Sequence, residues 1–364
     1  MYSFDELVRD KKKRDAIRAF LPQVIIVDEA HALKNPESKR TQKVYGRWCR
    51  NDGLAMIPKH VWLLTGTPTP NNVTELWPHL RALWPELITF GGEPLNLMGF
   101  TQRYADWKTT DFGIKVFGNN PKKLGEIRDV LGSIMLRRKA KDVLKELPPL
   151  VWQPTYLIPR EYITRQLLEL EQSDEVRELE RILDAATKGE TRELFTDEEP
   201  VALATVRRLT AEIKAPVVGD IIARELEDHA YDKIVIFVRH RAALETLRAK
   251  LYSFGAVVVM GGQSDKVRQT HIDGFQTDPT VRVALVQLDA GYHTITLHAA
   301  AQVAFLEQAW TPDINVQAAK RCHRFGQTRP VFVRNFGLEG SIDEAVTQAL
   351  SRKAQSILEL LEHK

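Results

Sequence analysis

A chain of 364 residues, 43% hydrophobic and 27% charged with mean hydropathy −0.28, can bury real cores and suits two domains of roughly 100 to 200 residues each, which excludes a disordered protein. No apolar stretch approaches the roughly 20 residues needed to cross a bilayer, and the charged start Met1 to Lys13 is unlike a signal sequence, so a soluble cytoplasmic protein with no membrane role is expected. Cys49 and Cys322 are the only cysteines and the net charge is +3, which excludes a disulfide framework or zinc cage and leaves nucleic-acid binding to local clusters rather than total charge.

Along the chain, Val24 to Val27 and Val61 to Leu64 are short, continuous apolar runs of the kind expected for parallel strands covered on both faces. Lys34 to Trp48 between them is polar and helix-compatible, and Val73 to Leu83 reads as a helix with Leu76, Leu80 and Leu83 on one side. Glu161 to Leu183 is long, charged and helical in period, and Lys188 to Pro200 is a polar acidic break. Five further strands follow at Lys233 to Val238, Ala256 to Met260, Arg282 to Gln287, Gln302 to Leu306 and Val331 to Phe336, with helices expected at Arg241 to Tyr252 and Val267 to Phe275. Ser341 to Leu361 is helical in period. The expected fold class is α/β: a first lobe over 1–150, a helical insertion and linker over 151–217, a second lobe over 218–340 and a C-terminal helix over 341–364.

Asp28-Glu29-Ala30-His31 closes the first apolar run, placing two carboxylates at the mouth of a strand, where open α/β sheets bind ligands. Such acids hold Mg²⁺ and polarise water in nucleotide-hydrolysing motors, yet the first glycine of the chain is Gly46, so no phosphate loop precedes them. Thr65-Gly66-Thr67-Pro68 ends the next strand and offers hydroxyls and a flexible glycine to sense a nucleotide. In the segment Gln317 to Gln327, Arg321 and Arg324 are three apart, so on a helix they would share a face and aim two guanidiniums at one phosphate cluster. Arg137-Arg138-Lys139 with Lys141, and Lys320-Arg321 with Arg324, Arg329 and Arg334, are basic clusters that suit phosphates.

These motifs in this order resemble the Swi/Snf-related ATPases of helicase superfamily two, most closely the compact annealing-helicase branch. The resemblance rests on Asp28 to His31 followed by Lys34-Asn35, on Leu64 to Pro68, on Leu136 to Pro149, and on Lys233 to Phe237, Gly261, Arg268, Phe275, Ala290-Gly291, Leu297, Trp310, Pro312 and the arginine segment ending at Gly326-Gln327. It implies two RecA-like parallel-sheet lobes, the first incomplete, with an inserted helical region, ATP and Mg²⁺ held between the lobes, and double-stranded or branched DNA across both. By the family pattern Asp28 holds Mg²⁺, Glu29 is the base for water, and Arg321 and Arg324 reach the γ-phosphate, with His31 and Gln317 shaping the nucleotide site. Thr65, Gly66 and Thr67 couple nucleotide state to movement, and Lys34, Arg239, His240, Gln263 and Thr296 are candidates for DNA contact. Three positions depart from the pattern: Thr294 for a second glycine, Gln263 for a threonine and Lys320 for an acid.

The resulting expectation is the C-terminal portion of an ATP-dependent DNA translocase that needs a phosphate-loop segment, supplied by a longer product or a separate chain. The alternative is a non-catalytic nucleic-acid-binding or adaptor protein that keeps the scaffold. Lack of chromatin-reader or zinc modules points to a bacterial or viral source, with a nuclear location if the source is eukaryotic.

Overall fold

The computed structural model describes residues 1–49, 53–110, 113–138, 140–159, 201–288 and 295–361. The expected helix over Glu161 to Leu183 and the break to Pro200 lie outside them, as does Thr294. The chain forms two compact units, residues 1–136 with 352–364, and residues 137–351.

In the first unit, β1 (Val24–Val27) and β2 (His60–Leu63) form a parallel pair with Val27 opposite Leu63. The alternation of strand side chains sends Ile25, Val27, Val61 and Leu63 into a core with Leu33, Val44, Tyr45, Leu76, Leu80 and Phe100. The other face is open: Val24 is 41%, Ile26 57% and Trp62 59% exposed. The expectation that these runs are covered on both faces therefore fails for the described residues, where only one side is packed. The stretch expected as one helix from Lys34 to Trp48 is a helix only over Lys39–Tyr45, capped by the Ser38 side chain on Thr41 N–H and flanked by 3-10 turns. Val73 to Leu83 divides into a 3-10 turn and the helix Trp77–Leu83. Two antiparallel strand pairs that were not expected follow: β3 (Thr89–Phe90) with β4 (Glu93–Pro94), and β5 (Ala105–Thr110) with β6 (Gly113–Asn119).

A buried polar pair sits in this core, where the Tyr45 hydroxyl lies 2.8 Å from His79 Nδ1. Burial, with a smaller contribution from the nearby His31, lowers the His79 pKa from 6.5 to about 4. Because that value is depressed, His79 is neutral in the fold while the unfolded chain takes a proton below 6.5, so the contribution is complete above 6.5 and lost as pH falls toward 4. The first unit is expected to lose about 3 kcal/mol over that window, at about 1.4 kcal/mol per pH unit. Urea unfolding at pH 7 and pH 4.5 checks this; equal first-unit stability, or an unchanged loss in His79→Gln, would refute it.

The second unit is built on one parallel sheet in the order β10-β11-β9-β12-β13-β7, with β8 also pairing β13. Its strands are β7 (Leu150–Trp152), β8 (Tyr156–Ile158), β9 (Ile234–Val238), β10 (Val257–Val259), β11 (Val283–Gln287), β12 (Gln302–Phe305) and β13 (Val331–Leu338). All five residues of β9 are buried, as a central strand covered on both faces requires. Ile234, Ile236 and Val238 face Ala211, Ala215, Val218 and Ile222 of the helix Val201–Glu227 and Leu244 and Leu247 of the helix Arg241–Lys250. Val235 and Phe237 point the other way, to Ile272 and Phe275 of the helix Asp265–Thr277 and to Ala318 and Ala319. The division falls at Leu136 rather than near residue 150 because β7 and β8 join the second sheet through β13.

Lys214 fastens this unit from the helix side. It is 1% exposed, and its ammonium donates to Leu306 O at 2.8 Å and Phe336 O at 2.9 Å and pairs with Asp343 at 2.7 Å. Asp343 in turn accepts from Leu338 N–H at 3.0 Å, fixing the start of the helix Ile342–Leu361. The far end of that helix places Leu360 and Leu361 in the first unit's core.

Candidate functional site

The two acids stand where β1 ends. Asp28 Oδ1 accepts the Glu29 N–H at 2.9 Å, and Asp28 itself is exposed. Glu29 is left-handed, with φ 49° and ψ 47°, a conformation that costs a non-glycine residue about 1 kcal/mol or more and persists where neighbouring bonds enforce it. The enforcement is visible, since Ala30 N–H donates to Leu64 O and Leu64 N–H donates to Val27 O, both at 2.9 Å.

His31 joins the acid strand to the threonine turn, its Nδ1 lying 3.1 Å from Thr65 Oγ1 and 3.2 Å from Glu29 Oε2. The Thr65 hydroxyl donates to Thr67 O at 3.1 Å and accepts from Thr67 N–H at 3.2 Å. With the hydroxyl proton spent on Thr67, Nδ1 of His31 donates to Thr65 Oγ1, and the Glu29 carboxylate lies beside the same nitrogen without a hydrogen bond to it. Glu29, His31, Thr65 and Thr67 thus form one connected group. Gly66 has no positive φ, and the space a Cβ would take is open among the described residues, so neither its backbone conformation nor its surroundings call for glycine.

Lys34 Nζ lies 2.6 Å from Glu75, a buried carboxylate that also accepts from Asn71 N–H at 2.8 Å and Asn71 Nδ2 at 2.7 Å. Glu75 went unnoticed in the sequence. Its signal was an acid within the apolar side of the segment that follows the threonine turn.

The Mg²⁺ ligand set inferred for Asp28 can be tested against donor chemistry. Mg²⁺ is typically held by one or two carboxylates together with substrate phosphates and water, and a single exposed carboxylate with one oxygen engaged by a backbone N–H fits that role. Among the described residues no group of three or more His, Cys, Asp or Glu side chains could hold a metal alone, so a phosphate-bearing ligand would have to complete the shell.

In the second unit, the arginine segment departs from expectation. The helix Pro312–Ala319 ends before it, with exposed Lys320 as its C-cap, so Arg321 and Arg324 lie in a turn and share no helix face. The break follows from packing: Ala318, Ala319 and Cys322 are all fully buried, and Leu297 N–H donates to Arg321 O at 2.8 Å, which no continuing helix would allow. Arg324 donates to Ile295 O and Thr296 Oγ1, each at 3.1 Å, so a candidate for phosphate and a candidate for DNA meet. Gln317 Nε2 donates to Asp313 at 2.6 Å, while its buried Oε1 has no hydrogen-bond partner among the described residues.

The turn is locked by Gln327. Its Nε2 donates to His298 O, Ala300 O and Cys322 O, and its Oε1 accepts from Thr328 N–H and Arg329 N–H. Gly326 adopts φ +97°, a conformation that calls for glycine, while the His298 ring 3.4 Å from where a Cβ would stand leaves ordinary contact distance. Two cations of the expected cluster are structural: Arg334 pairs with Glu225 through NH1 at 2.7 Å and lies over the Phe336 ring, and Arg329 donates to Ala299 O at 2.9 Å and reaches Asp232 at 3.3 Å.

A second group gathers at the carboxyl ends of β9, β11 and β12, where parallel sheets present their sites. Glu307, one residue past Leu306 and 5% exposed, accepts from Arg239 N–H and His240 N–H at 3.0 Å each through Oε2 and meets His240 Nδ1 at 2.5 Å through Oε1. Burial raises the Glu307 pKa, but the His240 hydrogen bonds and charge, with a smaller effect of Lys214, outweigh it and bring the net value below 4.5. Gln287 Nε2 donates to Arg239 O at 3.3 Å and its Oε1 accepts from Gly261 N–H at 3.1 Å. Gln263 braces the adjacent turn, accepting from Met260 N–H at 3.0 Å and donating to Val258 O at 3.1 Å. Arg239, His240 and Gln263 therefore belong together, whereas Thr296 belongs with Arg324. Glu307 was also missed, though a lone acid directly after an apolar strand is the same signal that drew notice at Asp28.

Residues 1–181 match the SNF2-related domain, and residues 217–326 match the helicase conserved C-terminal domain. The chain belongs to the SNF2-related family. Over 96% of its length it is 28% identical to the Caenorhabditis elegans SWI/SNF-related matrix-associated actin-dependent regulator of chromatin subfamily A-like protein 1 homolog. It is 30% identical over 94% of its length to the DNA annealing helicase and endonuclease ZRANB3 of Mus musculus. It spans 47% and 30% of those two proteins. The Sulfolobus solfataricus SWI2/SNF2 ATPase core solved in complex with dsDNA aligns at 22% identity and TM-score 0.42, covering 97% of this chain and 70% of that one. The curated relatives named here come from animals and lend no support to a bacterial or viral source. No helix among the described residues of this SNF2-related chain is long and apolar enough to cross a membrane.

Proposed function

We propose that the chain is part of an ATP-dependent DNA translocase, with Asp28 holding Mg²⁺, Glu29 orienting and deprotonating the attacking water, and Arg321 and Arg324 stabilising charge on the γ-phosphate. The observation that carries this reading is the group formed by Glu29, His31, Thr65 and Thr67, in which the histidine bonded to the turn that would respond to nucleotide lies 3.2 Å from the candidate base. ATP with Mg²⁺ supplies the phosphoryl group and the charge that orients it. His31 holds Glu29 and Thr65 in fixed relation, so that a change at the acids alters the Thr65 to Thr67 turn directly. Arg239, His240 and Gln263 would meet the DNA backbone without reading sequence, as a moving motor requires.

The 364 residues contain no Gly-x-x-x-x-Gly-Lys-Thr/Ser, whose backbone N–H groups and lysine supply much of the grip on phosphates. Turnover is therefore assigned to a form in which such a segment is joined to these residues or added as another chain. The open apolar face of β1 and β2, with Ile26 and Trp62 more than half exposed, supports a covering segment at that position. DNA-stimulated phosphate release is expected to be absent from the 364-residue chain and to appear when the phosphate-loop segment is supplied. Turnover by the chain alone, or none from the complemented form, would overturn the reading.

A further inference from the structure

Strand register in the first unit sets two like charges against each other. In the β5 and β6 ribbon, Trp107 stands opposite Val116, Lys108 opposite Lys115 and Thr109 opposite Ile114. Residues directly opposite in an antiparallel pair share a face, with Cβ atoms roughly 4.5 to 5.5 Å apart, and like charges so placed repel. A ribbon of two strands has little stability to spare for that repulsion. Lys108 is exposed and Lys115 half-buried, and neither ammonium has an ion pair or hydrogen bond among the described residues. By contrast, two cations that flank the ribbon in sequence, Arg103 and Lys123, both pair with Glu126.

The ribbon is held from its other face and from its base. Val116 packs against the first unit's core, which puts the two lysines on the side away from it. At the base, Asn119 Oδ1 accepts from Val73 N–H at 2.9 Å, Asn120 N–H donates to Tyr104 O at 2.8 Å, and Asn120 Nδ2 donates to Arg103 O at 3.0 Å. Lys34, the first unit's DNA candidate by sequence, has its ammonium on the buried Glu75 carboxylate. Lys108 and Lys115 carry no such commitment.

Resting on the reading of this chain as a DNA translocase, we propose that the β5 and β6 ribbon is a DNA-contacting element in which Lys108 and Lys115 together bind the phosphodiester backbone of a duplex. Phosphates beside the two ammoniums neutralise both, so binding removes the repulsion that the free ribbon carries. Ammonium groups act on phosphate as point charges and read no base, so the contact is independent of sequence. A duplex suits the pair better than an acidic protein segment, because each strand offers a phosphate about every 3.4 Å of axis and meets both ammoniums without having to fold around them.

Fluorescence anisotropy titration of a labelled duplex with the full chain, from about 50 to about 200 mM salt, tests this. Each phosphate contact adds about 0.9 to the slope of log affinity against log salt, so Lys108→Gln with Lys115→Gln is expected to reduce the slope by about 1.8. Across that range the native chain should lose about tenfold more affinity than the double variant. Lys11→Gln with Lys12→Gln removes equal charge from the exposed start of the helix Lys11–Phe20 and should keep the native slope. Lys108→Glu separates binding from structure: opposite charges across the ribbon should raise the first unit's urea midpoint while duplex affinity falls. An unchanged slope in the ribbon variant, or an equal drop in the Lys11 and Lys12 control, would overturn the proposal. Tighter binding of polyglutamate than of duplex, lost in the ribbon variant, would overturn it in favour of an acidic protein segment. If Arg239→Ala weakens duplex binding and the ribbon variant does not, the ribbon assignment alone fails. If the native chain binds no duplex, the translocase reading fails and the proposal falls with it.

Discussion

Replacing Glu29 by Gln is expected to lower DNA-stimulated ATP turnover by about 10²- to 10⁴-fold in the phosphate-loop-complemented protein, the range typical of removing a general base. The substitution keeps the size of the side chain and its contact with His31, whose Nδ1 lies 3.2 Å from Glu29 Oε2. It removes only the capacity to take a proton. DNA binding without nucleotide should be unchanged, because Glu29 belongs to the acid and threonine group and the candidate DNA residues Arg239, His240 and Gln263 are held by other partners. Steady-state phosphate release with saturating DNA measures the loss. A decrease of less than tenfold would remove Glu29 from the chemistry and favour the adaptor reading, in which the fold is kept without turnover.

Replacing Lys214 by Ala is expected to destabilise the second unit by about 3 to 5 kcal/mol, the cost of breaking a buried ion pair from one side. The loss has identifiable parts: the Asp343 carboxylate keeps only its bond from Leu338 N–H among those described here, and the carbonyls of Leu306 and Phe336 lose their shared donor. Lys214→Met should recover packing but not those partners, and combining it with Asp343→Asn should recover part of the difference by removing the stranded charge. Urea denaturation of the three variants, followed by circular dichroism, gives the comparison. A loss below about 1 kcal/mol in Lys214→Ala would mean that water readily replaces the ammonium.

The parallel strands of the second unit were legible because nothing competes with burial there. Residues 234 to 238 are apolar without interruption, and the structure buries every one of them. The two strands of the first unit looked the same in sequence, yet Ile26 and Trp62 are exposed, since an apolar run states what a segment can bury and not whether a neighbour is there to cover it. β7 and β8 escaped notice because three-residue strands carry too little periodicity to register, and their place is set by β13, more than 170 residues away. The arginine segment was recognised as chemistry but misread as helix. Spacing of three suits a helix face, whereas the bond from Leu297 N–H to Arg321 O, which stops the helix, depends on a loop remote in sequence. Glu75 and Glu307 were missed for a related reason: an isolated acid becomes informative only when its partners Lys34 and His240 are brought to it by folding.

The Gln327 amide, which takes five hydrogen bonds inside the arginine turn, has a consequence for timing. Ordering a loop around an arriving anion normally consumes part of the binding energy as lost chain entropy. Here that ordering is completed during folding, so the backbone that carries Arg321 and Arg324 has little left to rearrange when a ligand comes. Any slow step in this region must then lie in larger movements and not in the assembly of the turn.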